Sequence, residues 1–272
     1  MPHDCDLGYP VDGYRELVND YPGEDAYPHA DFRTEWGPIF HRGRLDGTAR
    51  VLIIGQDPAQ HEAVVRRILV GEAGQRIQGF LNHLGITRSY VMVNAFLYSV
   101  YGQKGGERHR GSEPIARYRN RWLAAILSRN PIEAVIALGS LADTAWTSYT
   151  ATLAPGTRGP AHAHITHPTQ PESAARSGAT TVTAAIRALL ENWNAALGRL
   201  RPEVKHPDLP MPAGLYGTAF QKADLPDIPE CDFPAGCPAW MRAGLAWAIR
   251  AGPNKEEKRY TIAIRVPPSL RP

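Results

Sequence analysis

The sequence is short of cysteine, of lysine and of long apolar runs. Its three cysteines, Cys5, Cys231 and Cys237, are an odd number, far apart and without CxxC spacing, which excludes a disulfide framework and argues against a structural metal. No stretch approaches the roughly 20 consecutive apolar residues that a membrane-spanning helix needs. Residues Met1 to Leu7 include Asp4 and Asp6 and lack the basic start and apolar core of a secretion signal, so a soluble protein in a reducing cytoplasm is expected. No GxSxG elbow occurs, which counts against a small-molecule α/β hydrolase built on Asp57 and His167. Lysine occurs only at 104, 205, 222, 255 and 258, so 25 of the 30 basic residues are arginine. The planar fork of arginine suits phosphate oxygens, although a high-GC codon bias produces the same excess. The net charge of +3 by itself says little about nucleic acid.

What is present is an ordered alternation. The 272 residues, 43% hydrophobic, suffice for one large core with an appendage. Residues 1–47 are rich in Pro, Gly, Tyr and Asp and read as an irregular lead-in packing on the core, with a short helix around Val11 to Asn19. Residues 48–198 alternate strand and helix, which predicts an α/β three-layer sandwich around a mostly parallel, four-stranded sheet. Helices are expected over Glu62–Val70, about Gly74–Leu84 with Gly85 as its cap, from Ser112 with Pro114 in the first turn, from Gly139-Ser140 through Trp146, and over Val182–Trp193. Residues 199–272 carry eight prolines between 202 and 238. They read as an extension folding back on the core, with a helix over Ala239–Arg250 and a strand over Tyr260–Val266.

Three strands stop at polar residues. Val51-Leu52-Ile53-Ile54 runs into Gly55-Gln56-Asp57-Pro58, Tyr90-Val91-Met92-Val93 into Asn94, and Ala163-His164-Ile165-Thr166 into His167-Pro168-Thr169. In a parallel sheet the carboxyl ends of the strands share one edge, where ligands bind. Asp57 suits a water-orienting carboxylate or a stabiliser of positive charge, and equally an Asp-Pro turn. Asn94 offers a donor and an acceptor side by side for a nucleobase edge, or simply ends its strand. His167 is held extended before Pro168 and could donate to a leaving group, or cap the strand. Zinc on His162, His164 and His167 lacks a fourth partner.

Together and in this order, the three segments resemble the uracil-DNA glycosylase superfamily. Gly55-Gln56-Asp57-Pro58 is similar to the first motif of the branch reading GQDPYH, His167-Pro168-Thr169 to its HPS motif, and Val70-Gly71-Glu72-Ala73-Gly74 to the FVGxAG run of the iron-sulfur branch. The resemblance covers about residues 50–195 and implies a DNA repair glycosylase that flips uracil from DNA and hydrolyses its N-glycosidic bond. It implies that Asp57 orients the water and stabilises an oxocarbenium-like sugar, and that His167 stabilises the uracil anion. Asn94 would read the base edge, and Gly55 and Gln56 would complete the pocket.

The chain departs from that pattern in four places. Ala59 stands where the family's thymine-excluding tyrosine follows GQDP. Leu69 takes the place of the aromatic that stacks on the base, leaving Phe80 and Phe96 as other sources of a ring. The segment 170–178, read as a polar loop, has no leucine wedge, and Arg176 is the candidate for that role. Three cysteines cannot hold the four-cysteine cluster, so neither metal nor cofactor is expected. DNA backbone contacts are expected from Lys104, Arg108 and Arg110 in a Gly-rich loop over 101–111, and from Ser140 and Thr169. The expected partner is uracil-containing DNA, single- or double-stranded, met by a monomer. A low-turnover binder of abasic or damaged DNA using the same pocket is the alternative.

Overall fold

The computed structural model describes Tyr9 and residues 13–270 apart from Gln103 and Leu245. Cys5, the segment Met1–Leu7 and the beginning of the helix expected from Val11 lie outside the described residues. That helix is α1 (Tyr14–Asn19).

The sheet has five strands rather than the expected four. They are β1 (Arg42–Gly43), β2 (Val51–Gly55), β3 (Tyr90–Asn94), β4 (Ala134–Leu138) and β5 (Ala161–Ile165), in the spatial order β1-β3-β2-β4-β5. Only β1 runs antiparallel. It lies inside the lead-in that was expected to be irregular, and its arginine and glycine gave no apolar signal. Helices α2 (Gln60–Val65) and α3 (Glu72–His83) join β2 to β3. From β3 the chain crosses back over β2 through α4 (Gly105–Arg108) and α5 (Glu113–Arg129) to reach β4. Then α6 (Ser140–Thr150) leads to β5, and α7 (Gln170–Arg176) and α8 (Val182–Leu200) follow it. The reversal of direction at β2 is a topological switch point, where the carboxyl edge of such sheets opens into a crevice.

Alternation along the strands makes the three layers. Leu52, Ile54, Val91 and Val93 face a core shared with Ile115, Trp122 and Ile126 of α5 and Leu141 and Trp146 of α6. Val51, Ile53 and Met92 face the opposite core, built on Ile77 and Phe80 of α3 and Leu189 and Trp193 of α8. Trp193, fully buried, donates through Nε1 to the Thr166 carbonyl at 2.9 Å, tying α8 to the segment that leads into His167. Gly85 follows α3 at φ +69°, and a Cβ there would meet the Leu209 carbonyl at 2.2 Å, so glycine is required. Ser112 occupies the N-cap of α5 with proline in the first turn, but its side chain makes no capping bond.

Three local expectations are corrected. Residues 101–111 are not a loop throughout, because Gly105–Arg108 form the short α4 with Gly105 and Gly106 buried. Residues 170–178 are not a plain loop, since α7 forms with Pro171 in its first turn, a position where a missing N–H costs no helical bond. The helix expected over Ala239–Arg250 is a 3₁₀ turn at Ala239–Arg242 followed by the strand β6 (Ala248–Arg250). Tertiary contacts decide this last case: Gly244 lies against Gln75, and Ile228 donates its N–H to the Arg242 carbonyl at 3.1 Å. Helix α9 (Glu257–Tyr260) leads into β7 (Ile262–Ile264), which pairs antiparallel with β6. Trp247 and Ala248 then pack with Val65, Val70 and Phe233 in a third apolar cluster. No helix among the described residues is long and apolar enough to cross a membrane.

Candidate active site

Asp57 sits two residues past β2, half-buried, with Oδ2 accepting the Val100 N–H at 2.9 Å and Oδ1 accepting from Gln56 Nε2 at 3.1 Å. Burial raises its pKa; the Val100 and Gln56 bonds and the charges of Arg33 and Arg250 oppose that rise without cancelling it. The residues after it are fixed by a second carboxylate. Glu62, buried in α2, accepts the N–H groups of Ala59 at 2.8 Å and Leu69 at 3.0 Å, and burial pushes its pKa up too. One side chain thereby ties the first turn of α2 to the chain entering α3.

Leu69 lies in that second stretch at φ +53°, a left-handed conformation unusual for leucine. Its carbonyl accepts from Arg42 Nη1 at 2.6 Å. A Cβ on Gly74 would fall 1.6 Å from the same carbonyl, so glycine at 74 follows from close approach of backbone to backbone, whereas a Cβ on Gly71 would meet the His61 ring at 3.2 Å. The Leu69 side chain is buried in the α3–α8 core, 6% exposed. Phe80 and Phe96 are buried in the two cores, while Ala59 is exposed at the N-cap of α2.

Asn94 ends β3 in register with Gly55. A Cβ on Gly55 would meet Asn94 Oδ1 at 2.2 Å, so the carboxamide leans over the glycine at the start of the Asp57 turn. No hydrogen bond engages that carboxamide among the described residues, which leaves its donor and acceptor free for a ligand.

His167 lies two residues past β5, half-buried. Its Nδ1 faces the Thr169 backbone N–H at 3.3 Å and Thr169 Oγ1 at 3.2 Å. A backbone N–H can only donate, so Nδ1 is the acceptor and the neutral ring carries its proton on Nε2. Burial lowers the ring's pKa to about 4. The loop is braced by Arg76 of α3, buried, which donates to the Pro168 carbonyl and grips Glu172 at 2.7 and 3.1 Å.

The carboxyl edge thus brings Asp57 and Asn94 together on neighbouring strands. His167 stands two strands from β2, roughly 10 Å along the edge at the usual spacing. The expected DNA contacts are more scattered. Arg108 is paired with Asp31, and Arg110 binds Glu107 at 2.8 Å, Thr144 Oγ1 at 3.1 Å and Ser140 Oγ at 3.2 Å. Thr169 is engaged with His167, whereas Lys104 and Arg176 are exposed. His162 pairs with Asp143 at 3.2 Å. Among the described residues no group of three or more His, Cys, Asp or Glu side chains could hold a metal ion.

Four contributors had not been singled out from sequence. Glu62 stands three residues after the N-cap Ala59, a capping-box spacing that is a readable signal. Arg76 lies on the helix whose apolar stripe alone had been read. Arg33 is buried between Trp36 and Tyr101, 4.9 and 5.1 Å from their rings, and donates to the carbonyl of Val100, whose N–H holds Asp57. Burial lowers its pKa to about 10. Arg250, at the end of β6, acts on Asp57 from the C-terminal segment. Nothing in the local sequence marked either arginine.

A model of the uracil DNA glycosylase superfamily matches residues 42–204, more than half of the chain and inclusive of Asp57, Asn94 and His167. No curated protein matches it.

Proposed function

The chain belongs to the uracil DNA glycosylase superfamily, whose members are DNA glycosylases of DNA repair, and from that premise we propose that it excises uracil. The flipped nucleotide enters the crevice at the carboxyl edge with its sugar against Asp57 and its base between Asn94 and His167. Asp57, ionised, orients the attacking water and stabilises positive charge that develops on the sugar as the N-glycosidic bond breaks. The water's oxygen bonds to the anomeric carbon, its proton passes to the carboxylate, and the bonding pair leaves with the base.

His167 then donates from Nε2–H to the uracil oxygen on which negative charge accumulates. A neutral imidazole does this without first losing a proton, and one such donor lowers the barrier by about 3 kcal/mol. Asn94 reads the base edge with its unengaged carboxamide, and the backbone at Gly55 and Gln56 closes the pocket. Leu69 acts through its backbone turn and the apolar wall beneath it. Lys104, Arg110, Ser140, Thr169 and Arg176 line the approach of the DNA backbone, with Arg108 released from Asp31 to join them.

The observation that carries this reading is the His167 ring, held by Thr169 with its only N–H left for a ligand. The test is excision from a labelled uracil oligonucleotide, with abasic sites cleaved by alkali. Strand breaks are expected with the wild type, and Asp57→Asn should lower the rate by about 10²-fold or more. Equal rates for the two proteins, or no breaks above a no-enzyme control on either strand form, would overturn it.

A further inference from the structure

The family match ends at residue 204, yet the C-terminal segment reaches the site. Strand β6 packs on α2, the helix that starts three residues after Asp57. The Ala248 N–H meets His61 Nε2 at 3.4 Å, and the His61 and Trp247 rings meet edge-on at 4.7 Å. The other end of the hairpin is anchored through buried Arg259. Its guanidinium binds Glu35 at 2.7 Å and the Phe32 carbonyl at 2.7 Å and stacks on Tyr101 at 4.4 Å, while its carbonyl accepts from Trp36 Nε1 at 3.0 Å. Tyr101 follows Val100, which holds Asp57, so both ends of the hairpin are fastened to the surroundings of that carboxylate.

Charge is concentrated in this segment. Residues 248–266 hold Arg250, Lys255, Lys258, Arg259 and Arg265 against Glu256 and Glu257, an excess equal to the net charge of the whole chain. Arg250 is exposed and meets no carboxylate among the described residues. Ala248, Arg250 and Ile262 share one face of the hairpin by strand alternation, and Ala248 and Ile262 belong to the apolar cluster with Val65 of α2. Arg250 therefore stands on the face that docks toward the site, near enough to act electrostatically on Asp57 and Arg33. Each Asp57 oxygen accepts a hydrogen bond from another group, and the Arg250 guanidinium has no hydrogen-bond or ion-pair partner among the described residues, so its fork is uncommitted.

We propose that the β6–β7 hairpin is a DNA-backbone clamp, and that Arg250 binds a phosphate flanking the nucleotide whose sugar rests against Asp57. The proposal rests on the reading of the site as a nucleotide pocket. A guanidinium fork matches two phosphate oxygens. Because Arg259 and Trp247 fix the hairpin before DNA arrives, little ordering cost is left to binding. The clamp also gives Asp57 a cation beside it that does not consume its oxygens.

The test is binding of the full-length protein to a fluorescent oligonucleotide bearing a stable tetrahydrofuran abasic analogue, titrated across salt concentrations. This readout needs no catalysis. Arg250→Ala is expected to weaken binding five- to tenfold at low salt and to flatten the slope of log K against log salt by about one, the loss of one phosphate contact. Arg250→Lys should keep most of the slope. Arg265→Ala removes the same charge one residue beyond β7, on the opposite face, and should keep the wild-type slope. A wild-type slope for Arg250→Ala, or an equal loss in Arg265→Ala, overturns the clamp. Failure of uracil excision alongside the expected slope change would sink the catalytic reading and leave the clamp standing.

Discussion

His167 is the residue at which protonation and stability can be read together. The unfolded ring takes up a proton near pH 6.5, whereas burial delays that in the folded protein to about pH 4. Above pH 7 the ring is neutral in both states and contributes no pH dependence. As pH falls from 6.5 toward 4 the unfolded state binds the proton first, so stability drops by as much as about 1.4 kcal/mol per pH unit. His167→Asn should therefore lose less stability than the wild type between pH 7 and pH 4.5 in urea unfolding, and parallel losses would refute the burial account. Asp57 has the opposite sign. Its folded pKa is raised, so the cost of holding it ionised is absent below its ordinary value of 3.8 and fully present above its folded one. Asp57→Asn should raise the unfolding midpoint at pH 7 while abolishing most excision, and that gain should vanish at acid pH. The strand-end placement of Asp57 and Asn94 was legible in sequence because each follows an apolar strand, and that of His167 because it precedes a proline after an alternating one. The Thr169 contact that fixes the His167 tautomer was not, since Thr169 had been read as a backbone contact for DNA.

At the scale of elements, the strands β2, β3 and β4 were readable because they are buried on both faces and hence continuously apolar. Strand β6 and helix α7 were not, because each is too short to show a period and is held by contacts distant in sequence. The glycines that shape the site divide into two kinds. Gly55 faces the movable end of Asn94, at 2.2 Å from a built Cβ, whereas Gly74 faces the backbone carbonyl of Leu69, at 1.6 Å. Gly55→Ala should fold with Asn94 pushed aside, giving at least a tenfold fall in excision with a small change in melting temperature. Gly74→Ala cannot be relieved by a rotamer and should cost about 3 kcal/mol or more, since backbone must move within a packed turn. Thermal melts and excision rates on the two variants separate these outcomes, and equal destabilisation by both would show that Asn94 is not free to yield.

Across the whole molecule, the link between the C-terminal segment and the sheet is a buried charge. Asp232, fully buried, lies 3.3 Å from Arg42 Nε and 3.2 Å from Arg44 Nη1, and accepts a hydrogen bond from the Tyr90 hydroxyl. The edge strand β1 is possible because an acid 190 positions from Arg42 lies against the buried guanidiniums of both Arg42 and Arg44. Arg42 also holds the Leu69 carbonyl, so this charge supports the left-handed turn beside the pocket. Removing one member of a buried ionic set strands the others without solvent, at about 3–5 kcal/mol, whereas replacing the whole set by apolar side chains of similar volume can be nearly neutral. Asp232→Ala should accordingly unfold at much lower urea than the wild type. The triple substitution Arg42→Met, Arg44→Met, Asp232→Leu should recover most of that loss. The recovered protein would still lack the bond from Arg42 to Leu69, so its excision rate should stay depressed although its stability returns. Recovery of both together would mean that the charges serve only to pair with one another and that the Leu69 turn is held by Glu62 and Gly74 alone.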